Sequence, residues 1–276
     1  MPVPTVRIAC AQLAPELGDL DGNRRRSLEA IEAAAAAGAK LVVLPELCSS
    51  GYAFADRDEA LACAEPAGGA TLTAWTEAAA RLGVVVAGGF AEVAGDRLHN
   101  SAAIIDATGV RAVYRKLHLW DREKLLFEPG AELPPVVYTP AGRIALGICY
   151  DIVFPELTRA MALAGADALI FPTNSPLIEA AAVPLPMEVV VAMATAHVNR
   201  VVVAIADRCG PERGTEWLGG SVIVAPSGRL LAGPPASGAG PLTIVADCEL
   251  DHARNKRWGE RNDLVGDRRH DVYEAL

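Results

Sequence analysis

The order of apolar segments predicts an α/β fold with a mixed sheet, arranged as two stacked sheets covered by helices. Two observations carry this. Short apolar runs bounded by turn residues alternate with Ala-rich helical stretches. Hairpin-like pairs interrupt that alternation, so the strands cannot all be parallel. The composition agrees: 51% of the 276 residues are hydrophobic and 21% charged, which suits a core-forming chain rather than a disordered one.

Residues 6–12 read as a strand. Residues 23–37 are rich in Ala and Glu and read as a helix closed by Gly38. A buried strand, 40–44, stops at Pro45. A helix spans 72–82, with Thr71 or Thr73 at its start. Residues 84–88 form a strand. Residues 98–105 and 110–116 form a pair joined through the turn sequence Asp106-Ala-Thr-Gly109. Strand 143–148 precedes a helix at 155–165, where Pro155 suits the first helical position and Glu156 the positive end of the dipole. Strand 168–171 ends at Pro172, and 187–199 is helical. Residues 200–206, 220–225 and 243–247 are strands. The tail, 252–276, is polar and irregular. No linker divides the chain, so residues 1–276 are expected to form one domain. There is no internal repeat of useful length, and Pro-Glu-Leu at 45–47 and 155–157 is coincidence. The Gly-Gly pairs at 88–89 and 219–220 read as tight backbone passages.

The formal net charge of −9 repels phosphate backbones, which argues against nucleic acid as a partner. Arg24–Arg26 reads as a solvated helix face. The cysteines at 10, 48, 63, 149, 209 and 248 form no C-x-x-C pair and read as free thiols in a reducing compartment, most of them packing residues. Residues 1–12 lack the layout of a signal peptide. No apolar run approaches the ~18–20 residues of a membrane span. A cytoplasmic location is the expectation. The five histidines show no metal spacing, and no phosphate-binding or dinucleotide-binding glycine motif is present, so no cofactor is expected.

Three polar residues interrupt apolar strand ends. Glu46 stands at the mouth of a buried strand, where desolvation can make a carboxylate a general base; it also reads as a glutamate emerging into solvent. Lys116 could stabilise charge developing on a substrate oxygen, or be an ordinary strand-end lysine. Cys149 stands between a strand and a helix, where its sulfur can be presented above the sheet edge; alone, it reads equally as a core thiol.

Taken together, the segments around these residues carry more. They are Leu41-Val-Val-Leu-Pro-Glu46, Tyr114-Arg-Lys116-Leu-His118, Phe127-Glu-Pro-Gly130 and Gly147-Ile-Cys149-Tyr-Asp-Ile-Val-Phe-Pro-Glu156. Further ones are Arg159 to Ala166, Pro172-Thr-Asn174, Gly219-Gly-Ser221, Pro226-Ser-Gly228 and Asp267-Arg-Arg269. In these segments the chain resembles the nitrilase superfamily of carbon–nitrogen hydrolases, over nearly its whole length and most closely the amidase-like branch. The resemblance implies a four-layer α-β-β-α sandwich and a homodimer or larger homo-oligomer, with the tail free to cross to the partner. It implies that Cys149 attacks the amide carbonyl to form a thioester. Glu46 would take the thiol proton and later activate water. Lys116 and the backbone N–H of Tyr150 would hold the oxyanion. Glu123 matches a second glutamate that orients the lysine and the substrate amide; Glu128 is the rival, and spacing from Phe127-Glu-Pro-Gly130 favours Glu123. Tyr52, Val153 and Asn174 are further candidates for substrate contact. His118 would face the same side as Lys116 as a packing residue.

Some branches that act on acidic substrates carry Arg just after the Cys-x-Asp segment. This chain has Ile152 and Val153 there, which favours a small neutral amide with an apolar acyl group. Arg208 or Arg213 could replace the missing arginine. Two alternatives stand beside the amide reading: an N-carbamoyl hydrolase, and a nitrilase, although Cys-Tyr-Asp replaces the Cys-Trp-Glu usual there. The chain also departs at Thr195-Ala-His-Val-Asn199 and Asp207, lacks an aromatic after Asn174, and carries the insert Val183-Pro-Leu-Pro186. These changes point to a less common substrate subgroup or an altered dimer contact.

Overall fold

Strand β1 (Val6–Gln12) is apolar on both faces, and that decides where it lies. Ile8 and Cys10 join one buried cluster, while Ala9 and Ala11 join another. A strand with two dry faces belongs inside a layered fold. The computed structural model, which describes residues 5–177 and 185–273, places it there. After β1 come α1 (Leu20–Ala36), β2 (Leu41–Val43), α2 (Arg57–Ala62), α3 (Ala70–Leu82), β3 (Val85–Ala94), β4 (Arg97–Asp106) and β5 (Gly109–Arg115). The chain continues through α4 (Glu123–Leu126), β6 (Val137–Thr139), β7 (Gly142–Leu146), a 3-10 turn (Cys149–Val153), α5 (Pro155–Leu163), β8 (Ala168–Thr173) and α6 (Met187–Asn199). It closes with β9 (Val202–Asp207), β10 (Val222–Val224), β11 (Leu230–Ala232), β12 (Leu242–Cys248), α7 (Leu250–Arg254) and α8 (His270–Tyr273).

One sheet is ordered β12-β1-β2-β3-β4-β5 and the other β11-β10-β9-β8-β7-β6. Both are mixed. β1, β2 and β3 run parallel in the first, and β7, β8 and β9 in the second, with antiparallel strands on either side. The two sheets therefore repeat one plan, although no repeat is visible in the sequence. Ile8, Leu41 and Val85 of the first sheet meet Ile144, Ile170 and Val202 of the second in a dry inner layer. Outside, α1 and α3 bring Ile31, Leu72 and Trp75 onto one sheet. On the other side, α5 and α6 bring Leu157, Met161 and Val189 onto the second. This is the expected α-β-β-α sandwich. Each fully buried large side chain in these layers contributes about 1.5–3 kcal/mol.

Several boundaries differ from the sequence reading, for local reasons. Helix α1 begins three residues early because Asp19 caps it, accepting from Gly22 N at 3.1 Å. Asn23 instead ties the loop, donating to Glu16 O and Ser49 O. Neither Thr71 nor Thr73 caps α3; Gly69 holds that position, and the Glu65 carboxylate accepts from Thr71 N. β8 continues through Pro172, because β7 has already turned away at Gly147 and no neighbour there needs a proline N–H. Arg200 does not open β9; it caps α6 in the left-handed region, with φ of 46°. His118 lies beyond the end of β5, in a loop. Arg24 and Arg26 are not simply solvated, since they pair with Asp21, Glu16 and Asp19. The tail carries α8 and part of α7. Val183 and Pro184 of the proline-containing insert lie outside the described residues. Among the described residues, no helix is long and apolar enough to cross a membrane, and no cluster of His, Cys, Asp or Glu is placed to hold a metal ion.

The glycine pair 88–89 passes under two bulky neighbours. A Cβ on Gly88 would fall 2.9 Å from the Trp75 ring, and one on Gly89 would fall 2.6 Å from Glu46 Cα. Gly89→Ala should destabilise the fold by about 1–3 kcal/mol, because backbone atoms must move to admit the methyl group. Gly68→Ala, with nothing within 4 Å of the new methyl, should stay within about 0.5 kcal/mol of the parent. Urea midpoints at constant slope read both.

Candidate active site

The C-terminal ends of β2, β5, β7 and β8 share one edge of the sandwich, the place where open α/β sheets hold ligands. Pro45 ends β2, and the next residue, Glu46, is fully buried. Leu47 has φ of 45°, so the chain turns sharply there, over Gly89. Lys116 follows β5, anchored by its N–H to Asn100 O at 2.9 Å. Its buried Nζ donates to Glu46 Oε1 at 2.7 Å and to Glu123 Oε1 at 2.9 Å. Glu123 opens α4. Its Oε2 accepts from Trp120 N at 3.0 Å, and its Oε1 from the Tyr52 hydroxyl at 2.6 Å. Asn100 Nδ2 donates to Glu46 Oε1 at 2.7 Å. Glu46 Oε2 accepts from no described residue. Glu128 stands apart, half-exposed between Arg57 and Arg97. The structure thus brings Glu123, not Glu128, to the lysine.

Cys149 begins the 3-10 turn after β7 with φ of 44°, a region that costs a non-glycine residue energy. Two devices hold it there. Gly147 lies against Phe171, where a Cβ would come within 2.4 Å of the ring. Asp151, fully buried, accepts from Ile148 N at 2.9 Å, the Tyr114 hydroxyl at 2.8 Å and His118 N at 3.1 Å, with His118 Nδ1 2.7 Å away. The His118 ring stacks on Phe154 at 3.6 Å, so His118 packs against the turn. Tyr150 is the second residue of the turn, and N–H groups in a helix's first turn have no partner within it. Cys149 Sγ donates to Asn174 O at 3.8 Å. The other five cysteines are buried; Cys149 alone is half-buried.

Electrostatics divides the cluster. Burial pushes Glu46 up to about 7, with Lys116 opposing and Glu123 reinforcing the shift. Burial alone would lower the Lys116 ammonium, but the two carboxylates outweigh it and hold the group protonated. Burial, and then the Glu46 charge, push the Cys149 thiol well above its usual range. Cys149 therefore rests as a thiol within the electrostatic reach of the Glu46 carboxylate. Chemically, such a set can generate a nucleophile on demand and stabilise an oxyanion next to it.

Two cavities open on this edge. One, of about 290 Å³, is lined by Cys149, Tyr150, Val153 and Asn174. The other, of about 630 Å³, reaches Tyr52 and Glu123, and Trp120 and Pro176 line both. Asn174 is buried, and neither polar atom of its side-chain amide has a described partner. Trp217, which lines the larger cavity, bridges to Pro176 and meets the Tyr52 ring edge-on at 5.1 Å. Arg208 is buried over Trp217 and pairs with Glu212, while Arg213 pairs with Glu59. Both alternative arginines are thus committed to carboxylates. Sequence reasoning missed Asn100, Trp120 and the role of Asp151, although Asp151 lies in the Cys-Tyr-Asp segment. Asp207 accepts from Ser175 N and Gly220 N, bracing the loop that carries Asn174.

The carbon–nitrogen hydrolase family model matches residues 7–257. A nitrilase of Pyrococcus abyssi is 37% identical over 269 residues, covering 97% of this chain and 99% of that protein. An (R)-stereoselective amidase of Pseudomonas sp. is 34% identical over 265 residues, covering 96% and 92%. Among solved structures, a mutant of the amidase from Nesterenkonia sp. AN1 superposes with a TM-score of 0.79 at 27% identity, over 98% of this chain and 99% of that one. That structure shows acrylamide added to its active site cysteine.

If Glu46 is the base for Cys149, alkylation of Cys149 by iodoacetamide should speed up as pH rises through about 7, where Glu46 ionises, and level off above it. Glu46→Gln should remove that inflection. A rate that rises only at alkaline pH, with the thiol's own ionisation, would contradict the assignment. Peptide mass mapping against pH gives the profile.

Proposed function

Since the chain belongs to the carbon–nitrogen hydrolase family, we propose that it cleaves a small amide to a carboxylate and ammonia through a thioester on Cys149. The observation that carries this reading is the buried ammonium of Lys116, held between Glu46 and Glu123 within electrostatic reach of the half-buried Cys149. In the proposed reaction Glu46 Oε2, free of other partners, takes the Cys149 proton as Sγ attacks the carbonyl carbon. Lys116 Nζ and Tyr150 N–H receive the oxyanion, and removing one such donor typically costs ~10²–10³ in rate. The C–N bond breaks as Glu46 returns the proton to the leaving nitrogen, releasing ammonia. Water then gives a proton to Glu46 and its oxygen to the thioester. The carboxylate departs, and the proton on Glu46 restores the thiol. Glu123, tied to Tyr52, Trp120 and Lys116, keeps the lysine aimed and contacts the substrate amide. Val153 and Asn174 contact the acyl group. Ile152 and Val153 supply no charge where an acidic substrate would need one, and Arg208 and Arg213 are already paired. These features support an acyl group that is apolar near the reacting carbon.

Self-association is supported by a row of exposed apolar side chains on α6: Met187, Val190 and Val198, with Leu163 of α5. Light scattering should give a mass of at least twice the 28.9 kDa chain, falling on Val190→Glu/Val198→Glu.

Ammonia release from a panel of small amides, ureido acids and nitriles tests the reaction. Amides should be cleaved, and Cys149→Ala should lower turnover by at least ~10⁴-fold. Turnover that persists in Cys149→Ala would reject the mechanism. Release of CO2 with ammonia would identify a carbamoyl substrate instead.

A further inference from the structure

The cavity beside Cys149 has walls of Ile152, Val153, Met187, Val191 and Ile205, and one carboxylate, Glu188. Glu188 lies in the first turn of α6, where the helix dipole favours negative charge. That position explains why a carboxylate is tolerated, but not why it lines an apolar cavity without a counter-ion. Among the described residues, no Lys, Arg or His lines this cavity. The sequence from Thr173 to Asn199 contains no Lys or Arg. Its one histidine, His197, sits at the far end of α6 against Ser227 O. Its charge reaches another acid: Asp207, pushed up to about 7 chiefly by burial, feels Glu188 as a like charge. The cavity also holds the buried Asn174 amide, with both polar atoms unpartnered. A nucleophile, an unused amide, apolar walls and an uncompensated carboxylate describe a subsite for a chain that is reactive at one end, aliphatic in between and positive at the other.

Resting on the amide-cleaving reading above, we propose that Glu188 selects substrates whose acyl chain ends in a protonated amine. The neutral acyl group expected from Ile152 and Val153 then holds near the reacting carbon, while the far end is cationic. A charged hydrogen-bonded pair at a partly desolvated site discriminates by about tenfold or more.

The test compares δ-aminovaleramide, its uncharged counterpart hexanamide and its acidic counterpart adipamate. The intact protein should favour the ammonium compound over hexanamide in kcat/KM by about tenfold or more, mostly through KM. Glu188→Gln should collapse that ratio toward one, and Glu188→Lys should shift preference to adipamate. A ratio near one in the parent, or one unmoved by Glu188→Gln, would overturn the proposal. Calorimetric binding of δ-aminovaleramide to Cys149→Ala, with and without Glu188→Gln, separates this idea from the reaction itself. A Kd that rises about tenfold supports the subsite even if no amide is cleaved, and an unchanged Kd rejects it.

Discussion

A lysine with no access to water must be neutralised, and that requirement organises this edge of the molecule. Removing an ammonium and a carboxylate from water costs several kcal/mol each, and only tight, well-aimed contacts offset it. Lys116 meets this with two glutamates drawn from separate parts of the chain, Glu46 after β2 and Glu123 at the start of α4. Asn100 from β4 and the Tyr52 hydroxyl add further contacts to the same carboxylates. Four residues from other parts of the chain therefore gather around one charge. Shifting any of them would leave a buried ion short of partners, so the site is held rigid by the cost of unmaking it.

The second constraint is steric. Glu46 can turn inward only because Gly89 lets β3 pass beneath it, and the Cys149 turn fits only because Gly147 lies flat on Phe171. Cys149 and Leu47 both sit in the left-handed region, at the two places where strand ends bend over the edge. The Asp151 carboxylate offsets the strain at Cys149 by accepting from both sides of the turn. Packing and hydrogen bonding thus position a thiol whose own ionisation burial opposes, next to a carboxylate with a free oxygen. In the proposed chemistry the thiolate need exist only while it attacks.

Much of the fold was legible because the signal was local. Runs such as Leu41-Val-Val-Leu announce strands dry on both faces, and helix α6 was found at its observed limits, Met187–Asn199. Short elements such as β6, β11, α2 and α4 were not, since three to six residues carry too little periodicity to read. The start of α1 is set by tertiary contacts, since Asp19 caps the helix while Asn23 is tied to the loop at Glu16 and Ser49.

The site divides in the same way. The sequence by itself determined the chemistry available: a glutamate, a lysine and a cysteine at strand ends, in motifs ordered like those of carbon–nitrogen hydrolases. It also determined what the region after Cys149 lacks, since Ile152 and Val153 bear no charge. Sequence spacing favoured Glu123 over Glu128, and tertiary structure separates them, because Glu123 is buried against the lysine while Glu128 faces Arg57 and Arg97. It also decided that Trp217 meets Tyr52 beside the larger cavity, and that Glu188 lines the cavity of Cys149. The physical reason is common to all three. Motifs record chemistry that local sequence can carry, whereas burial and charge pairing depend on which distant segments the two sheets bring to one edge.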